Sequence, residues 1–250
     1  MKENDSINRL VDLRYRAMYE LQMARIQNSS LEVDLILTYL LDVQRAYLHS
    51  HPEHILEPEM ISRFNNMLNR RLSGEPLQYI LGRTCFFGYE IEVGSGVLIP
   101  RPETEILVEE ALKHFQKGTF LDWGTGSGCI TIAILRETNE TQAIALEKDP
   151  KALAWAWKNL NKYKLLPRAL LLHLDAMGHI PVGNDTLDLI VSNPPYVESI
   201  TMPDLDPSVR SHEPHMALDG GTGGLEPFFP ILKIASLKLR KGAHLIVECS

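Results

Sequence analysis

The chain has 250 residues, of which 44% are hydrophobic and 23% charged, and its formal net charge is -7. This composition is that of a globular protein with one large domain or two smaller ones. Acidic residues outnumber basic ones by 32 to 25 and no basic stripe is visible, which argues against direct binding to nucleic-acid phosphates.

Cysteine spacing and hydropathy indicate the cellular compartment of the protein. Cys85, Cys129 and Cys249 are scattered, without the spacing of a metal site or a disulfide framework. The start, MKENDSINRL, lacks the cationic and apolar stretches of a signal peptide, and no apolar run approaches the roughly 20 residues that span a bilayer. The histidines of HSHPEH flank a proline and have no cysteine partner. We therefore predict a cytoplasmic protein that is monomeric, does not bind membranes and has no metal site.

Residues 1–75 have the pattern of a small domain of three to five helices. Ser29, with Glu32 three residues later, matches a capping box, and apolar residues then recur near helical spacing. A second helix has Pro58 in its first turn and Gly74 at its end.

Residues 76–99 change character. The segment YILGRTCFFGYEIEVGSGVLI is aromatic and β-branched with interspersed glycines, which is typical of hairpin strands. We predict a β-hairpin linker between two domains.

In residues 100–250, predicted strands and helices alternate. This pattern indicates an α/β domain whose parallel sheet is covered on both faces. The predicted strands are, in order, TFLDW, QAIALE, ALLLHL, LDLIVS and AHLIVE. Right-handed crossovers between them predict a doubly wound, Rossmann-like sheet with strand order 3-2-1-4-5.

A glycine-rich loop follows the first of these strands. FLDWGTGSGCI places Gly124, Gly126 and Gly128 between a strand and a helix, which is where ligands bind in such sheets. A tight turn without a ligand is the alternative interpretation. A second cluster, LDGGTGGLEPF, does not follow a strand, and we predict a turn that packs over the site.

The residues around the loop favour one cofactor over another. Glu147 ends the second strand, where a carboxylate accepts the ribose hydroxyls of NAD and of S-adenosylmethionine alike. The loop is GxGxG and lacks the third glycine of the dinucleotide fingerprint GxGxxG. Asp122 places a negative charge where a pyrophosphate would lie, and a cationic sulfonium tolerates that charge better. These points favour S-adenosylmethionine.

The tetrapeptide Asn193-Pro194-Pro195-Tyr196 ends the fourth strand, beside the strand of the glycine loop. An amide or aryl-amine nitrogen is a poor nucleophile because its lone pair is delocalised. The Asn193 side-chain oxygen and the Pro194 carbonyl suit its two hydrogens, and Tyr196 offers a flat face for stacking. Positioning of this kind supports methyl transfer to nitrogen. The alternative is that the two prolines only end the strand.

Taken together, the motifs resemble those of the release factor glutamine N5-methyltransferases, the HemK-like family. The matching segments are LIPRPETE (98–105), LDWGTGSGCI (121–130), IVSNPPY (190–196), EPHMALDGGTGGLE (213–226) and the linker GEPLQYILG (74–82). The resemblance implies S-adenosylmethionine as methyl donor and S-adenosylhomocysteine as product. The implied protein partner and acceptor is the glutamine of the Gly-Gly-Gln loop in peptide chain release factors.

The resemblance also implies roles for individual residues. The expected cofactor-binding residues are Gly124, Thr125, Gly126, Ser127, Gly128, Glu147, Asp175, Ala176 and Asn193. The expected catalytic and glutamine-binding residues are Asn193, Pro194, Pro195 and Tyr196, with Phe86 and Phe87 lining the acceptor pocket. Ala176 replaces the large apolar residue that often flanks adenine in the family, and Glu147 stands where Asp is frequent. The family usually continues beyond this chain's last strand with a helix and an antiparallel hairpin, so we expect two strands to be lacking or the sheet to be completed differently.

Three other functions fit part of the pattern. Methylation of an exocyclic amine in DNA or RNA uses a similar tetrapeptide, but the excess of acidic over basic residues argues against it. Glutamine methylation of a ribosomal protein is closer, and RPETE favours the release-factor branch by resemblance. A binding protein that has lost turnover is the alternative from another class.

Overall fold

The structure is a computed structural model that describes residues 8–175 and 180–249. The chain divides into two compact units, Met1–Leu81 and Gly82–Ser250. In these described ranges, no helix is both long enough and apolar enough to cross a membrane.

The described part of the first unit is helical. Its helices are α1 (Leu10–Met23), α2 (Ser29–Leu41), α3 (Arg45–Ser50), α4 (Pro58–Leu72) and α5 (Leu77–Leu81). Helix α1 buries Leu10, Leu13, Ala17 and Leu21, whose spacing of three or four residues forms one face against the shared core.

Two local predictions in this unit are wrong. Asn28, and not Ser29, is the N-cap of α2, and the Glu32 carboxylate pairs with Arg71 at 2.6 Å, so no capping box forms. Residues 77–81 form a helix instead of a strand. Leu77 and Ile80 join the helical core, and their three-residue spacing places them on one helix face.

The second unit begins with a hairpin. Strands β1 (Arg83–Phe86) and β2 (Tyr89–Glu92) pair antiparallel, as the segment predicts. Phe87 and Gly88 connect them with φ values of 51° and 77°, and two positive φ values are typical of the two-residue type I′ turn. The Phe87 N–H donates to Glu105 Oε1 at 2.8 Å.

The remainder of the second unit is an α/β fold. Its strands are β3 (Lys117–Trp123), β4 (Glu140–Glu147), β5 (Ala169–His173), β6 (Leu187–Ser192) and β7 (Leu239–Val247). Its helices are α6 (Thr104–His114), α7 (Cys129–Glu137), α8 (Pro150–Lys162), α9 (Pro207–His212) and α10 (Phe228–Lys238). All strand pairs are parallel and their order is β5-β4-β3-β6-β7. This confirms the predicted order 3-2-1-4-5.

The central strands have little contact with water. Phe120, Leu121 and Asp122 of β3 are fully buried, as are Leu189, Ile190 and Val191 of β6. Near-continuous apolar runs are typical of strands covered on both faces. Because β4, β3 and β6 are parallel neighbours, their carboxyl ends meet at one edge of the sheet.

Candidate active site

A cavity of about 290 Å³ opens at the carboxyl ends of these strands. Most of the predicted cofactor and acceptor residues line it. These are Gly124, Thr125, Gly126, Ser127, Glu147, Asp175, Asn193, Pro194 and Pro195. The structure thus brings the glycine loop and the Asn-Pro-Pro segment to one site, although they are separated by about seventy positions in the chain.

The glycine loop is tied to the neighbouring strand β4. The N–H groups of Gly124 and Thr125 donate to the Leu146 carbonyl at 3.0 and 2.8 Å. Gly128 has a φ of 81°, and a Cβ there would lie 3.3 Å from the Cα of Ala156. Gly128 thus packs the loop against α8, and it is outside the described cavity lining.

Glu147 has a structural role that sequence reasoning missed. Its Oε2 accepts from the Gly126 N–H and its Oε1 from the Asp149 N–H, both at 2.9 Å. The side chain is 8% exposed and lines the cavity. Because each carboxylate oxygen has a second lone pair, Glu147 can hold the loop and still accept from a ligand hydroxyl.

Asp122 lies beneath the loop and not in the cavity, which corrects the prediction that it faces the ligand. Its Oδ2 accepts from the hydroxyls of Thr125 and Thr131 at 2.7 and 2.6 Å. Its Oδ1 has no hydrogen-bond partner among the described residues. Burial raises the pKa of Asp122 from 3.8 to about 6, and the charge of Glu147 adds to the rise.

This raised pKa predicts a pH-dependent difference between the wild type and Asp122→Asn. Asp122 binds its proton more tightly in the folded protein than in the unfolded chain. Proton binding therefore stabilises the folded protein at pH 4, and this stabilisation is lost as the pH rises through about 6. Since each tenfold change in proton affinity is about 1.4 kcal/mol, the loss is about 3 kcal/mol. Between pH 4 and pH 7, we expect the difference in free energy of unfolding between Asp122→Asn and the wild type to shift by about 3 kcal/mol in favour of the variant. Urea unfolding across this range measures it, and parallel pH profiles would contradict it.

Asn193 is held by a residue of the RPETE motif. Its Nδ2 donates to the Thr104 hydroxyl oxygen at 2.9 Å. Thr104 begins α6 and is 2% exposed. One step earlier in the chain, the Ser192 hydroxyl donates to the Trp123 carbonyl at 2.8 Å and so ties the end of β6 to β3. In this orientation of the amide, Oδ1 is the side-chain acceptor that Asn193 has left for a ligand.

The second glycine cluster packs against the tetrapeptide, as predicted. The Gly220 N–H donates to the Val197 carbonyl at 2.8 Å, and the Val197 N–H donates to the Leu218 carbonyl at 3.0 Å. A Cβ on Gly224 would lie 2.2 Å from the Tyr196 carbonyl oxygen. The backbone of this cluster therefore supports the backbone of the tetrapeptide directly.

An ion pair between the half-buried Arg101 and the buried Glu213 joins two loops that line the cavity. Arg101 donates to Glu213 Oε1 at 2.6 Å, and the Ile99 N–H donates to Glu213 Oε2 at 3.0 Å. Arg101 and Pro214 are part of the lining. Thr104, Arg101 and Glu213 belong to the motifs LIPRPETE and EPHMALDGGTGGLE, but nothing in the spacing of these motifs predicts that the side chains meet other site residues.

Some predicted site residues lie elsewhere. The described lining of the cavity does not include Tyr196, Phe86 or Phe87. Phe86 is 1% exposed and fills the interior of its unit. Ala176 lies outside the described residues. The roles of these four residues in binding stay predictions.

The fold and the site together define a class. A parallel 3-2-1-4-5 sheet with a GxGxG loop after its first strand, an acid at the end of its second and Asn-Pro-Pro-Tyr after its fourth is a Rossmann-like methyltransferase domain. Two family models match this chain: the PrmC N-terminal domain over residues 12–82 and the methyltransferase small domain over residues 101–205.

Relatives named "Release factor glutamine methyltransferase" are similar over most of the chain. The protein of Geobacter sulfurreducens is 37% identical over 89% of this chain and 78% of its own length. That of Caulobacter vibrioides is 37% identical over 91% of this chain and 79% of its own length. That of Nitratidesulfovibrio vulgaris is 35% identical over 96% and 81%, respectively. The chain belongs to the release factor glutamine methyltransferase family.

Proposed function

We propose that this protein is an enzyme that transfers a methyl group from S-adenosylmethionine to the side-chain amide nitrogen of a glutamine. The proposed acceptor is the glutamine of the Gly-Gly-Gln loop in peptide chain release factors. The observation that carries the proposal is that Asn193 lines the cavity with its Nδ2 bonded to Thr104, an orientation in which Oδ1 remains as its side-chain acceptor. Membership of the family, whose relatives are named for this reaction, supports it.

The residues of the cavity fit the proposed cofactor. A Cβ on Gly124 would meet nothing within 4 Å, so the loop leaves open space for a ligand on that side. Glu147 would hold the ribose hydroxyls, and the buried charge of Asp122 lies below the loop, where it favours a cation. When bound, S-adenosylmethionine supplies a methyl group activated by a sulfonium centre.

The acceptor amide must be held in one orientation. Asn193 Oδ1 and the Pro194 carbonyl would accept its two N–H groups, which leaves the nitrogen lone pair directed toward the methyl group. Pro194 and Pro195 have no N–H that could compete for these acceptors, and their φ angles are fixed. Holding the two reactants in line supplies much of the rate of such a transfer.

Roles for the domains, an oligomeric state and a compartment accompany this function. We place residues 1–75 as the domain that recognises the protein substrate, residues 76–99 as the linker and residues 100–250 as the catalytic domain. A separate family model over residues 12–82 supports an independent role for the helical part. We propose that the protein acts as a monomer in the cytoplasm, where release factors work, without direct contact with nucleic acid or membranes. The net charge of -7 supports the statement on nucleic acid.

A methyl-transfer assay with competing acceptors tests the proposal. We expect label from radioactive S-adenosylmethionine on release factor, and none on the same factor with its Gly-Gly-Gln glutamine replaced by alanine. Ribosomal proteins, DNA and RNA serve as the other acceptors. Calorimetry on the same preparation should show binding of S-adenosylmethionine and no binding of NAD. Label on nucleic acid or on a ribosomal protein in place of release factor would refute the acceptor, and tight NAD binding alone would refute the cofactor.

A further inference from the structure

The orientation of the Asn193 amide decides whether this residue can hold the acceptor. The oxygen and nitrogen ends of an asparagine side chain have nearly the same shape, so packing alone does not choose between them. Thr104 touches Nδ2 at 2.9 Å. A hydroxyl can either donate or accept, however, so Thr104 alone would tolerate both orientations.

A third side chain, Glu248, lies next to this pair. Val247 of β7 pairs with Ser192 of β6, and the Glu248 N–H donates to the Ser192 carbonyl at 3.0 Å. Glu248 therefore follows β7 at the point where Asn193 follows the adjacent strand β6. Glu248 Oε2 is buried and has no hydrogen-bond partner among the described residues.

The electrostatic surroundings of Glu248 agree with this placement. Burial raises the pKa of the Glu248 carboxyl, and the donor groups of the nearby Thr104 and Asn193 side chains oppose the rise. The nearby charge of Glu103 also raises this pKa. Both members of the Thr104–Asn193 pair are thus within reach of the same carboxylate.

We propose that Glu248 is a positioning residue that, with Thr104, fixes the Asn193 amide with Oδ1 toward the acceptor. A carboxylate only accepts hydrogen bonds, so it selects the N–H end of Asn193. If the Thr104 hydroxyl donates to Glu248, its oxygen must accept from Asn193, which imposes the same orientation a second time. The inverted amide would place Oδ1 against a carboxylate. Glu248 is outside the described cavity lining, so it acts through Asn193.

The inference rests on the proposed function, and a double-mutant cycle tests it on release factor. We expect Glu248→Ala to lower kcat about tenfold, as loss of one charged hydrogen bond does, with unchanged cofactor affinity. In an Asn193→Ala background the same change should have no further effect, because Glu248 acts only through Asn193. Thr104→Ser, which keeps the hydroxyl, should lose less of the rate than Thr104→Val, which removes it. Glu248→Gln, which preserves the shape of the side chain, serves as the second variant should alanine prevent folding, and we expect a smaller loss.

A second readout does not depend on the acceptor. The Asn193 side-chain NH2 signals in a ¹⁵N NMR spectrum, identified by their loss in Asn193→Asp, should shift and exchange faster in Glu248→Ala. The matched control is Glu110→Ala, a surface glutamate on the same helix as Thr104, which should leave these signals unchanged. If Glu248→Ala shows the NMR effect but the wild type does not methylate release factor, the proposed function fails and the inference stands. Unchanged signals in Glu248→Ala, or a loss of kcat that adds fully to that of Asn193→Ala, would overturn the inference.

Discussion

Asn193→Ala is expected to lower turnover on release factor by about 10²–10³, which corresponds to about 3–4 kcal/mol of transition-state stabilisation. The change removes Oδ1, so one N–H of the acceptor amide would lose its hydrogen-bond partner in the site. The fold should persist, because Asn193 follows β6 and is not part of the hydrophobic core. Single-turnover kinetics measure the rate of methyl transfer, and calorimetry separately measures the affinity for S-adenosylmethionine.

Asn193→Asp is the matched variant for this experiment. It keeps an acceptor atom but adds a negative charge, so we expect S-adenosylmethionine to bind at least as well as in the wild type. The neutral acceptor amide would be positioned less selectively, and turnover should fall. If Asn193→Ala shows near-normal turnover with normal cofactor affinity, the tetrapeptide only ends a strand.

Gly224→Ala is expected to cost several times more stability than Gly223→Ala, and to reduce turnover. The two glycines have φ values of 68° and 66°, so each alanine pays the same left-handed penalty of about 1–2 kcal/mol. They differ in their surroundings. A Cβ on Gly223 meets nothing within 4 Å, whereas a Cβ on Gly224 would lie 2.2 Å from the Tyr196 carbonyl oxygen.

The Gly224 substitution must therefore move the backbone of the tetrapeptide. A displacement of about 1 Å at a positioning site can cost about 10² in rate, so we expect a loss of tenfold or more in kcat for Gly224→Ala. Gly223→Ala should keep most of the wild-type rate. Thermal unfolding and turnover of the two variants, measured side by side, give the comparison. Equal losses in both would show that strain of φ, and not contact with Tyr196, explains the glycine cluster.

The sheet was predictable because its determinants are local. Runs such as FLDW and LDLIVS are apolar enough to specify buried strands, and alternation with helices specifies parallel order. The glycine loop and the tetrapeptide follow strands one and four, so the rule on carboxyl ends of strands places them together.

The contacts that orient the site were not predictable, because they join residues that are far apart in the chain. Thr104 and Asn193 are 89 positions apart, and Arg101 and Glu213 are 112 apart. Burial of Asp122 beneath the loop depends on two threonine hydroxyls that no spacing rule selects. Residues 77–81 have the composition of a strand, but Leu77 and Ile80 pack into the helical core, and tertiary packing overrides local preference there.

Fragment mass spectrometry of release factor after incubation with enzyme and S-adenosylmethionine tests the central claim most directly. We predict one added methyl group on the side-chain amide of the glutamine in the Gly-Gly-Gln loop, formed by the wild type and strongly reduced with Asn193→Ala. A methyl group at another residue, or equal modification of that glutamine by both proteins, would contradict the claim that Asn193 holds this glutamine for methylation.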